Sequence, residues 1–172
     1  MASELYTRTN QKIFYAGLAL ESWRKAEQAQ SLNALALIQA EREAALFHLY
    51  GALLGLCHEI AGYYRLPGSS APRAESFLVQ SVLEAAPSQE LGELVELAQS
   101  ADSWLAQLLN AYGELFKPPH ASKKAKVDPT TPMIIAVSLD EEIVPLAHEA
   151  LEAWRQQLKS LAQRFRETLS EW

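Results

Sequence analysis

Between about Ser31 and Leu66 the apolar positions recur with helical spacing, not with the alternation of a strand. At about 100° per residue, Leu35, Ile38, Leu46, Leu49, Leu53, Leu56, Cys57, Ile60 and Tyr64 share one wide arc. The opposite side carries small residues, Ala44, Gly51, Ala52, Gly55 and Gly62, with Glu41, His48 and Glu59 among them. A helix that is apolar on one side and small on the other is covered on both, so this stretch is predicted to be the centre of the fold. Glycine costs about 1 kcal/mol against alanine inside a helix. Three of them here predict close approach of a second helix backbone or, alternatively, a groove opened for a ligand.

The pattern on either side predicts more helices. A first one spans about Ser3 to Gln28, with Leu5, Ile13, Ala16, Leu20 and Trp23 on one side. Phe14 and Leu18 lie on its far side and suggest a second neighbour. Ser31 is the expected N-cap of the central helix, and Pro67 and Gly68 its stop. Pro72 suits the first turn of a helix continuing to about Ala85. Ser88 can cap SQELGELVELAQ, and a break near Ser100 to Ser103 leads into WLAQLLNAYGELF. There Trp104, Leu108, Tyr112 and Leu115 recur at helical spacing. The fold class expected is all-α, a single-domain, up-and-down helical bundle of about four layers, the third broken into short helices.

Residues 117 to 138 interrupt this pattern with a long basic, proline-rich loop, KPPHASKKAKVDPTTPMIIAVS. About Pro118 to Lys126 is expected to be open to trypsin, and the apolar Met133 to Val137 to dock on the bundle. Ser138 to Glu141 matches a capping box, with Asp140, Glu141 and Glu142 at the start of a last helix reaching about Glu171. Its core stripe is Ile143, Ala147, Ala150, Leu151, Trp154, Leu158, Leu161, Phe165 and Leu169, and Pro145 predicts a kink near its start.

Composition narrows the function classes. A chain of 172 residues suffices for one domain with a sizeable core. A formal net charge of −6 argues against general nucleic-acid binding, which needs a basic surface. The single cysteine, Cys57, excludes an intramolecular disulfide and fits a reducing cytoplasm. MASELYTRTNQK has no apolar signal-peptide core, and the apolar run from Leu49 to Cys57 is short of the roughly 20 residues of a membrane span.

Candidate chemistry is sparse. Arg42 falls inside the apolar arc, where a guanidinium must be paired, snorkel outward or serve a function. With His48 it makes an Arg-x5-His spacing that resembles the pattern of HEPN ribonucleases, in which the histidine would act in proton transfer and the arginine would hold phosphate across a dimer. Within one chain the two side chains point about 120° apart. The remaining histidines match neither a di-iron bundle nor a zincin. No phosphate-cradling glycine loop, nucleophile elbow or dinucleotide fingerprint is present, so no cofactor is expected. Lys117, Lys123, Lys124 and Lys126 make a solvated linker or, alternatively, are the candidate contacts for an acidic partner or a nucleic-acid backbone. The expectation is a non-enzymatic cytoplasmic interaction or regulatory protein, able to form a homodimer, with the ribonuclease as the alternative.

The blocks ELYTRTNQK, EREAALFHLYGALLGLCHEIAGYYRLP and KKAKVDP resemble an uncharacterised domain-of-unknown-function family of pseudomonad bacteria, over nearly the whole chain. The resemblance implies no activity. It does imply a link to DNA maintenance through a protein partner, with DNA topoisomerase or related machinery as the named candidate.

Overall fold

The computed structural model describes residues 2–119 and 146–170, side chains of residues 2 and 3 excepted. Six α-helices and one short 3-10 turn account for the regular structure of these residues. Helix α1 (Ala2–Ala29) and helix α2 (Ala34–Tyr63) form a long antiparallel hairpin. After it come the 3-10 turn Ala74–Ser76, α3 (Gln80–Ala85), α4 (Gln89–Gln99), α5 (Trp104–Glu114) and α6 (His148–Ser170).

Helix α2 is the centre, touching α1, α4, α5, α6 and the 3-10 turn. Leu49, Leu53, Leu56, Cys57 and Ile60 are buried to within 1%. By length and composition α2 could cross a membrane, but 67% of its most apolar window is buried inside the bundle, so packing accounts for its apolarity. Helix α6 lays Leu151, Trp154, Leu158, Leu161, Phe165 and Leu169 into the same core, as its stripe predicts.

The glycines explain how tightly α1 lies on α2. A Cβ on Gly55 would stand 2.6 Å from Thr9 Oγ1 and 3.3 Å from Thr9 Cα, so any side chain there would push the helices apart. Gly51 and Gly62 are less severely tight, a Cβ meeting only the Lys12 stem at 3.0 Å and the tip of Leu5 at 3.2 Å. Close helix packing is therefore the principal reason for the small-residue side of α2.

Local signals set several boundaries. Ser88 Oγ accepts from Leu91 N–H at 3.2 Å, and Ser103 Oγ accepts from Ala106 N–H at 3.0 Å, each supplying the cap its helix needs. Other expectations are corrected. Helix α2 begins at Ala34 with Asn33 as its flanking residue, and the Ser31 hydroxyl donates to the Asn33 side chain instead of capping the backbone. It stops at Tyr63, three residues before Leu66, because Arg65 turns into the left-handed region at φ 54°. Leu66 N–H then bonds Ala61 O at 2.9 Å and Arg65 N–H bonds Gly62 O at 3.3 Å, the paired bonds of a Schellman ending. Pro72 does not open a helix, since the segment toward Ala85 splits into the 3-10 turn and α3. Helix α6 begins at His148, not Ser138; the capping box, Ile143 and Pro145 lie outside the described residues. Leu35 was expected on the buried arc and is 84% exposed, because the first turns of α2 run past the rest of the bundle. Helix α1 does have a second neighbour, α6, whose Arg155 lies against Gly17, although Phe14 and Leu18 themselves are exposed.

Candidate functional site

The close approach at Gly51 and Gly55 also builds a cleft. Arg8 and Lys12 stand one turn apart on α1, and the Lys12 stem runs directly over Gly51, whose Cβ would be 3.0 Å from Lys12 Cδ. Burial follows for a residue type that is almost never buried unless paired: Lys12 is only 9% exposed. Its ammonium lies 4.8 Å from the centroid of the Phe47 ring, a favourable but modest contact. Among the described residues no carboxylate is within ion-pair distance of Lys12 or Arg8. Burial, with the like charge of Arg8 added, holds the Lys12 pKa below its ordinary range.

The other walls are aromatic and fixed by hydrogen bonds. Tyr50 and Tyr112 stack with ring centroids 3.8 Å apart and planes 8° apart, joining α2 to α5. The Tyr50 hydroxyl donates to Glu75 at 2.6 Å and accepts from Ala74 N–H at 3.1 Å. Burial first, then the Glu75 carboxylate, pushes its pKa up to about 12, so it stays a neutral donor. His58 Nε2 donates to the Ala71 carbonyl at 2.7 Å while its ring meets Phe77 edge-on. The cleft encloses about 270 Å³, with Pro72 and Leu54 completing its lining.

The residues singled out from the sequence are placed elsewhere. Arg42 is half-buried, and its Nε donates to the Leu146 carbonyl at 3.2 Å. Its Nη1 bonds Gln39, and its guanidinium covers the Trp23 ring at 4.8 Å. No carboxylate pairs with it among the described residues; it snorkels and ties α2 to the start of α6. His48 packs edge-on to Tyr15 and Phe47, with Nδ1 buried and without a hydrogen-bond partner. Burial, then the Lys12 charge, lowers its pKa. Arg42 and His48 share no partner, so one chain does not bring them together. Lys117 is exposed and paired with Glu114. Lys123, Lys124 and Lys126 lie outside the described residues, as do the expectations for residues 120 to 145. Cys57 is fully buried and its thiol is pushed up to about 12, which makes it a small hydrophobe and not a nucleophile.

Sequence reasoning missed Arg8, Lys12 and a buried pair, Glu59 with Arg166. The one available signal for the first two was their spacing, since like charges four apart on a helix repel and need a reason. Nothing local marked the second. Arg166 reaches Glu59 from 107 residues away, with bonds of 2.9 and 2.8 Å.

No curated protein and no solved structure matches the chain. A family model described as a family of unknown function (DUF6586) matches residues 1–172, and the chain belongs to that family.

Proposed function

We propose that this is a non-enzymatic interaction protein of the cytoplasm, which receives an apolar helix of a protein partner along the outer end of the α1–α2 hairpin. The observation that carries this reading is a groove of about 300 Å³ between Ser22, Lys25, Ala26 and Ala29 of α1 and Leu37 and Glu41 of α2. On α1, Tyr15, Leu18, Ser22, Ala26 and Ala29 follow one another along one side, and Leu18, Tyr15 and Leu37 are 45%, 38% and 40% exposed. Small residues on the floor and larger apolar ones at the rim are the shape an amphipathic helix fits. An uncovered apolar row of this kind marks an interaction surface on a protein whose core is otherwise closed.

Catalysis has less to support it, because among the described residues Arg42, Lys117 and His48 are engaged in packing or pairing and share no partner. A DNA-maintenance protein such as DNA topoisomerase is the first partner to try, on the resemblance alone.

The test is affinity purification from the native host with the wild-type chain and with Leu37→Glu, which puts a charge on the groove wall without touching the core. Partner capture lost in the variant is the expected result. Equal capture by both would overturn the reading. Light scattering of the two purified proteins adds the case of a second copy: a dimer present only in the wild type makes this chain its own partner.

A further inference from the structure

We propose that the Arg8–Lys12 cleft is a binding site for a small oxyanion carried on a flat ring, an aryl phosphate monoester or an aryl carboxylate. Three independent features converge on this chemistry. The Lys12 stem is covered, the residue being only 9% exposed, while its ammonium opens into the cleft, and none of the described acids lies within ion-pair distance of it. Arg8 lines the same cleft one turn away, also without a carboxylate partner among the described residues, so the site gathers two positive charges that repel each other. A dianion such as a phosphate monoester neutralises both, and a planar carboxylate suits the fork of the guanidinium.

The ring follows from the walls. Phe47, Tyr50 and Tyr112 present aromatic surface, and Pro72 and Leu54 add apolar surface, around a volume of about 270 Å³. That is just under the roughly 300–1,000 Å³ of pockets for drug-sized ligands, so the body is small. The site is also preorganised. Tyr50 and Tyr112 are held by stacking, and Tyr50 by two hydrogen bonds. The Lys12 stem is pinned against Gly51, so little side-chain freedom is left to lose on binding. Both polar groups already used, the Tyr50 hydroxyl and His58 Nε2, keep their partners in the protein and need not be broken.

None of the cleft's lining residues belongs to the hairpin groove, so this site stands or falls apart from the partner reading.

The experiment is an amide-resonance titration of the full chain with four probes: phenyl phosphate, benzoate, inorganic phosphate and phenol. Saturable shifts centred on Arg8, Lys12, Gly51 and Gly55 are expected with phenyl phosphate or benzoate, and whichever binds tighter identifies the head group. Phenol lacks the charge and should be weaker by about tenfold or more, the scale set by losing a partner of a buried cation. Lys12→Met keeps the apolar stem over Gly51, and Arg8→Gln alters an exposed residue, so both variants retain the fold, as checked by circular dichroism. Each should weaken the tighter probe by about tenfold. Absence of saturable shifts in the cleft with both ring-bearing anions overturns the proposal. So does binding unchanged in both variants, and so does inorganic phosphate binding as tightly as phenyl phosphate, which would remove the role of the ring.

Discussion

Lys12 is the residue at which folding and binding pull in opposite directions. Its stem is covered, and its partly desolvated ammonium has the face of Phe47 beside it and no carboxylate within ion-pair distance among the described residues. Lys12→Met retains the stem, keeps a contact to the aromatic ring through sulfur and removes the partly desolvated charge. The variant is expected to be more stable than wild type by about 0.5–2 kcal/mol at pH 7, the usual range for relieving a residue kept for a task other than stability. The pH dependence has a definite sign. The folded pKa is lowered from the ordinary 10.5, so the unfolded chain binds the extra proton more readily, and wild-type stability rises with pH up to about that value. The advantage of Lys12→Met is therefore full at neutral pH and shrinks as pH climbs toward 10.5, which urea melts at several pH values will read out directly. A variant less stable than wild type at pH 7 would mean that the ammonium is better compensated than the geometry indicates.

Among elements, the end of α2 carries a local strain that one substitution relieves. Arg65 occupies the left-handed position of a Schellman ending that glycine fills most often, at φ 54°. Its side chain is exposed and makes no ion pair among the described residues. Arg65→Gly is expected to stabilise the fold by about 0.5–1 kcal/mol, less than the full cost of a Cβ in that region because glycine also frees the unfolded chain. Thermal unfolding checks it, and a lowered Tm would sink the argument. This turn shows why some boundaries were legible and others were not. Ser88 and Ser103 stand next to the backbone groups they cap, so their meaning is contained in a few residues. Pro67 announced that α2 must stop, but the stop is executed at Arg65, a residue type with no turn preference. The exposure of Leu35, Phe14 and Leu18 was not legible either, since periodicity says which side of a helix is apolar and not how far its neighbours extend.

In the whole molecule, one of the contacts that hold α6 on the hairpin is the buried pair of Glu59 and Arg166. Glu59 is 3% exposed, Arg166 grips both its oxygens, and Asn10 and the Tyr6 ring complete the guanidinium's surroundings. The carboxylate, being first among its partners, raises the Arg166 pKa. Arg166→Met strands a buried negative charge and should cost about 3–5 kcal/mol, whereas Glu59→Leu combined with Arg166→Met should recover most of that loss. A double-mutant cycle by chemical denaturation measures both; additive costs would show that the two residues act separately. The all-helical bundle and the centrality of α2 were readable because they follow from periodicity. The cleft and this ion pair were not, because each depends on residues from separate helices meeting. The same separation sets an order of assembly. The two helices of the hairpin are neighbours in sequence, while Arg166 follows Glu59 by 107 residues. At synthesis rates of about 5–20 residues per second, the ribosome therefore exposes Glu59 roughly 5–20 s before its counter-ion exists. For that interval the growing chain is an open hairpin with a wet apolar flank and an uncompensated acid, and that is the species a chaperone would meet.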